Sequence, residues 1–259
     1  MKNIVCDTNI WYDLSSGRVQ QPDKEKYHLI ATHINIDELA ITPNLLIDYK
    51  LVQNTIISIF KNYQLAKYPN AIEYLIQLNK VEYDNSLFLS NYNEILTFTE
   101  NIANDCIDPS KIHELEKYIV KRKEDLSQVA NYLNIKKNKM NRSLKTIIRK
   151  NFISKEKYWK KNTIKETQKC IMDYVFYASS KKYNLGYDFD WNRVELFLHT
   201  VDYFIKDIVM TGRNINANDF YDFSNLVYVS PNDLYWTNEK YWIRVITDAG
   251  MSKYLYGHK

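Results

Sequence analysis

Glycine and proline are scarce, with five of each in 259 residues, against usual frequencies of roughly 7% and 5%. So few chain breakers leave long uninterrupted elements, mostly helices. Cysteine is rarer still. Cys6, Cys106 and Cys170 are odd in number, widely spaced and form no CxxC pair, which argues against both a disulfide framework and a zinc site. The five histidines are scattered and make no HExxH spacing. No apolar run approaches the roughly 20 residues of a membrane span. The N-terminus, interrupted at Asp7, lacks the apolar stretch of a signal peptide. A reduced, cytoplasmic setting is the expectation.

What is present is 45% hydrophobic residues, enough for a proper core in one large domain or two small ones. Lys, Asn, Ile and Tyr are abundant, a composition that AT-rich codons favour. The 22 tyrosines are therefore no evidence of base stacking by themselves.

In the opening stretch IVCDTNIW, residues 4–6 read as a short strand buried on both faces, and Asp7 places a carboxylate at its end. The polar SSGRVQQPDKEK is a loop. YHLIAT, residues 27–32, reads as a second strand, with a helix opening over residues 34–39. From about residue 45 to residue 205 the pattern is helical almost throughout. In DPSKIHELEKYIVKRKEDLSQVANYL, Asp108 can cap, Pro109 suits the first helical position, and apolar residues recur at helical spacing. The character changes near residue 213, where a short strand is expected at Ile215, then a helix over residues 219–229, a turn at SPND and a strand LYWT. Alternating strands and helices at both chain ends predict a three-layer α/β core with a short parallel sheet and the first strand central. That core comprises residues 1–62 and 205–259, interrupted by an all-helical insertion over residues 63–204.

Charge is unevenly spread. Residues 136–169 hold 13 Lys or Arg against two acids, a block of +11 in a chain of net +4, so the remainder carries −7. The plain reading is a solvated helical face. The functional one is a phosphate-contacting arm using Lys136, Lys137, Lys139, Arg142, Lys145, Arg149 and Lys150, with Tyr158 and Trp159 offering rings for stacking.

Four acids line up with the strand ends. Asp7 follows the first strand. Glu38 stands six residues after Thr32. Asp222 lies at the start of the penultimate helix, and Glu239 follows Thr237 after the last strand. Each has a rival or a plainer reading. Asp48 lies six residues after Thr42 and competes with Glu38, which is preferred for its preceding strand. Asp219 competes with Asp222 but suits a helix cap, and Asp173 sits in a run whose apolar surroundings continue straight through.

This order resembles the PIN domain nucleases, whose pattern is a strand ending in Asp-Thr-Asn, a Ser or Thr with an acid about six residues on, an Asp opening a late helix, and a Thr-x-Asp after the final strand. Here these read as Asp7-Thr8-Asn9, Thr32 to Glu38, Asp222, and Thr237-Asn238-Glu239, with Glu239 where the family usually has Asp. The resemblance covers roughly residues 1–60 and 205–259. It implies a PIN-like core and a catalytic set of Asp7, Glu38, Asp222 and Glu239. Of these, Asp7, Asp222 and Glu239 would hold Mg²⁺ or Mn²⁺, with Asn9 and Thr237 orienting the carboxylates. Converging carboxylates repel one another until a cation joins them, and hard oxygen donors suit these ions. The implied reaction is metal-dependent hydrolysis of RNA, leaving a 5′-phosphate and a 3′-hydroxyl. A protein partner such as an antitoxin is compatible with the family, although this chain is about twice the size of its small toxins. The competing expectation is a PIN-like module that has lost cleavage and holds RNA or a protein. A haloacid dehalogenase-type phosphatase needs a second Asp two residues after the first, where this chain has Asn9.

Overall fold

In the computed structural model of this chain, the residues described are 1–62, 69–79, 86–105, part of 116–146, and 155–258. The protein is mixed α/β and mostly helical. Strand β1 (Lys2–Cys6) leads into α1 (Thr8–Ser15), and β2 (Tyr27–Ile30) into α2 (His33–Ile41). Then come α3 (Asn44–Ile47), α4 (Tyr49–Asn62), α5 (Ala71–Leu78) and α6 (Ser86–Ala103), helical positions within 116–146, and α7 (Lys155–Ala178). The chain finishes with α8 (Glu195–Thr211), α9 (Ala217–Asn225), β3 (Leu234–Trp236) and α10 (Lys240–Asp248).

The three strands form one parallel sheet in the order β2-β1-β3, so the first strand is central, as expected. Ile4 lies opposite Leu29 and Leu234, Val5 opposite Ile30 and Tyr235, and Cys6 opposite Trp236. Successive strand residues point to opposite faces, and Ile4, Val5 and Cys6 are all buried, so β1 is covered on both faces. The outer edge of β3 does not stay open, because the Tyr256 N–H donates to the Tyr235 carbonyl at 2.9 Å.

The core runs across the boundary drawn between the end segments and the insertion. Ile76, Ile102 and Val175 belong to the same hydrophobic cluster as Ile4, Trp11 and Val245. Each fully buried aliphatic side chain of this kind contributes about 1.5–3 kcal/mol. The boundary at residue 204 falls inside α8, which continues to Thr211 and ends where Gly212 adopts a left-handed φ of 76°.

Local chemistry corrects several sequence readings. Strand β2 stops at Ile30, and Thr32 instead caps α2, its hydroxyl accepting from the Asn35 N–H while the Asn35 side chain accepts from the Thr32 N–H. Ile215 is not in a strand. Its N–H and carbonyl are both bonded by the side chain of Asn134, at 2.9 and 2.8 Å, an amide standing in for a strand neighbour. Helix α9 begins at Ala217, two residues before the expected start, because Asn216 and Asp219 form a reciprocal cap. Its α-helical part ends at Asn225, with a single 3₁₀ turn over Leu226–Tyr228. No helix among the described residues is long and apolar enough to cross a membrane.

Candidate metal centre

Parallel strands joined through helices bring their carboxyl ends to one side of the sheet. Asp7 follows β1 directly and occupies the N-cap position of α1, in extended conformation. Glu239 holds the same position at the head of α10. Asp is a residue type that commonly caps a helix and Glu is not; here neither makes a side-chain capping bond. Both carboxylates join one acidic group, with the positive ends of two helices behind them.

Asp222 completes the group from α9. One ligand oxygen from each of Asp7, Asp222 and Glu239 lies within 4.8 Å of the other two. Asp222 does not open its helix, as the sequence suggested. It lies one turn further in, while Asp219 does the capping and pairs with Arg213. The spacing of three puts both acids on one side of α9.

Neutral donors hold the arrangement. The Thr237 hydroxyl donates to Asp7 at 2.8 Å and itself accepts from the Glu239 N–H at 3.1 Å. The Asn9 amide donates to Glu239 at 2.6 Å. Both residues therefore sit where the sequence reading put them, bridging first acid to last. The Trp242 indole donates to Asp222.

Glu38 reaches the same region from α2. It is half-buried and bonded by the Thr8 hydroxyl, and its charge acts on both Asp7 and Asp222. Its rival Asp48 is exposed and accepts from the Leu51 N–H at 3.1 Å, capping α4. Asp173 is exposed on α7.

The electrostatics follow from crowding. Burial first, then the charges of Glu38 and Glu239, push Asp7 up to about 7, against the pull of the Thr237 hydroxyl. Burial and the charges of Asp7 and Glu239 hold Asp222 well above the usual carboxylate range. Burial also raises Glu38, with further contributions from Glu239 and Asp37, and raises Glu239, where Asp219 adds to it. Among the described residues, the groups pulling the four acids down are neutral donors, so acid repels acid here without a base to offset it.

That donor set fits a hard divalent cation. Oxygens held about 2.1 Å from one ion lie at most about 4.2 Å apart, so three carboxylates already within 4.8 Å need only small adjustment. The extra methylene of Glu239, relative to Asp, does not keep it out of the group.

Two residues at the heart of the site were not found from the sequence. Asn35 and Asn225 both donate to the Cys6 carbonyl, at 3.1 and 3.2 Å, and so brace the strand end that carries Asp7. Asn35 also donates to the Thr8 hydroxyl at 3.0 Å, and the Thr32 hydroxyl donates to Asn225 at 2.7 Å. The run THIN offered a weak signal for Asn35, since Asn stands where a capping box has Glu or Gln. Nothing local marks Asn225.

The basic block divides. Arg142 is exposed. Lys137 corrects the sequence reading: it is buried, and its ammonium donates to the Arg213 carbonyl at 2.8 Å and to Asn214 at 2.9 Å. With Asn134 three residues earlier, it fastens that helical segment to the lead-in of α9. Lys136, Lys139, Lys145, Arg149 and Lys150 lie outside the described residues, as do the side chains of Tyr158 and Trp159.

No family model, no curated protein and no solved structure matches this chain.

Proposed function

We propose that the chain is a metal-dependent endoribonuclease with a PIN-like core. One observation carries the reading: Asp7, Asp222 and Glu239 converge within 4.8 Å beyond the carboxyl ends of a parallel sheet, where open α/β folds bind ligands. Asp7, Asp222 and Glu239 would hold Mg²⁺ or Mn²⁺. Once bound, such an ion polarises a phosphodiester and lowers the proton affinity of water. The chain's own groups do the rest. Thr237 and Asn9 hold Asp7 and Glu239 in place. Glu38, its proton affinity raised by burial, is suited to accept a proton from the attacking water. Arg142 and the lysines and arginines near it, without Lys137, would contact RNA phosphates.

The test is calorimetric titration of the wild type and Asp7→Asn with Mn²⁺, followed by cleavage of single-stranded RNA under the same conditions. Wild type should bind the ion and cut RNA, and the variant should do neither. Wild-type protein that binds no Mn²⁺ and leaves RNA intact refutes the proposal. RNA binding without cleavage identifies instead a module that has lost its chemistry.

A further inference from the structure

Away from the acids, helices α5, α7, α8 and α9 enclose an apolar cavity of about 150 Å³. Among the described residues, no Lys, Arg, Asp, Glu or His lines it. Its wall includes Tyr174, Phe204, Phe220 and Phe223, with the hydroxyls of Ser224 and of Thr167, the latter already donated to Asp202 at 2.8 Å. Exposed Cys170 and Tyr174 bring it to the surface on the α7 side.

A void of this size costs stability in proportion to its volume, and close-packed interiors hold few of them. Water does not fill such a space well, because a buried water needs two to four polar partners. An apolar cavity of about 150 Å³ stays dry and accepts benzene. The wall also favours a ring over an alkyl chain. Tyr174 and Phe220 meet edge to face at 6.2 Å and 73°, and Phe220 and Phe223 at 5.2 Å and 75°. Phe223 then leans on Phe204 at 6.0 Å. A guest ring extends this series in the geometry aromatic pairs prefer. A charged ligand finds no counter-charge, and a nucleobase would bury donors and acceptors without partners.

We propose that this cavity is a binding site for one uncharged, single-ring aromatic molecule. The site is independent of the acidic cluster. Helix α9 serves both, presenting Phe220 and Phe223 to the cavity and Asp222 to the acids.

The probe is toluene, with cytosine as the polar control. Toluene should raise the melting temperature of the intact protein saturably, with one molecule bound per chain. At about ten times its dissociation constant it should slow alkylation of Cys170 about ten-fold, read from the peptide by mass spectrometry. Cytosine should do neither. Ala71→Met fills the wall from α5 and should abolish the toluene response, while Cys170 protection in the wild type tests the site without any variant. The proposal is overturned if toluene near its solubility limit changes neither quantity. It is overturned equally if cytosine matches toluene, or if folded Ala71→Met still responds as wild type.

Discussion

Asp7→Asn should stabilise the metal-free protein at alkaline pH while removing its response to metal. Asp7 titrates at about 7 in the fold against 3.8 when unperturbed. About three pKa units at 1.36 kcal/mol each amount to about 4 kcal/mol. The folded-state value is raised, so the folded chain keeps a proton that the unfolded chain has lost, and stability falls as pH rises through that window. Most of the fall lies between pH 4 and 7. From pH 5 to pH 8 the Asp7 contribution is about 3 kcal/mol, roughly 6–12 °C in melting temperature for a chain of this size. Asparagine does not titrate, keeps an oxygen to accept from Thr237, and relieves Asp222 of its neighbour's charge.

The assay is thermal unfolding in EDTA at pH 5 and pH 8 for both proteins, repeated at pH 8 with Mn²⁺. Wild type should lose stability across that interval beyond what the variant loses, and recover with Mn²⁺. An ion present at 100 times its dissociation constant returns about 2.7 kcal/mol. Asp7→Asn should be the more stable protein at pH 8 in EDTA and indifferent to Mn²⁺. If the variant is destabilised equally at both pH values, Asp7 is a structural residue and the electrostatic argument fails. If Mn²⁺ raises both melting temperatures alike, the ion binds elsewhere.

Three further predictions concern the third proposed ligand and the supports of the site. Glu239→Gln keeps an acceptor for Asn9 but removes a ligand charge, and should weaken Mn²⁺ binding by calorimetry at least about ten-fold with an unchanged circular dichroism spectrum. Asn225→Ala strips the Thr32 hydroxyl of the shorter of its two acceptors and the Cys6 carbonyl of one of two donors, all buried; urea unfolding should show a loss of about 1–3 kcal/mol. Lys137→Met should cost about 1.5–3 kcal/mol and speed amide exchange around residues 213–216 without altering the salt dependence of RNA binding. A reduced salt slope would restore Lys137 as a phosphate contact.

The parts of the fold legible in the sequence depend on neighbours in the chain. Ile4, Val5 and Cys6 are an unbroken apolar run ended by an acid, and they form the buried central strand. Thr237 and Glu239 could be placed because a strand of three residues ends just before them. Asp222 was separable from Asp219 because Asp219 suits a helix cap, although α9 starts earlier than its apolar pattern suggested. What could not be read depends on distant partners. Asn225 is meaningful only beside Cys6, 219 positions away. Lys137 looks like any other lysine in a run of bases until Arg213 and Asn214, 76 and 77 positions on, supply its acceptors. The strand expected at Ile215 failed for the same reason, since its backbone partner is a side chain 81 residues earlier.

The acids and their braces impose opposite demands on one strand end. Four raised carboxylates crowd where β1 finishes, and their repulsion would be relieved if that end moved outward. Asn35 and Asn225, from helices α2 and α9, pin the Cys6 carbonyl from two sides, while the Asp7 N–H donates to the Trp236 carbonyl at 2.9 Å. The backbone bearing Asp7 is thus tied to all the elements that carry the other acids or lead to them. Stability alone would be better served by an apolar or amide side chain at position 7. On the proposed function, a bound cation, and not the fold itself, would resolve the repulsion at this firmly held strand end.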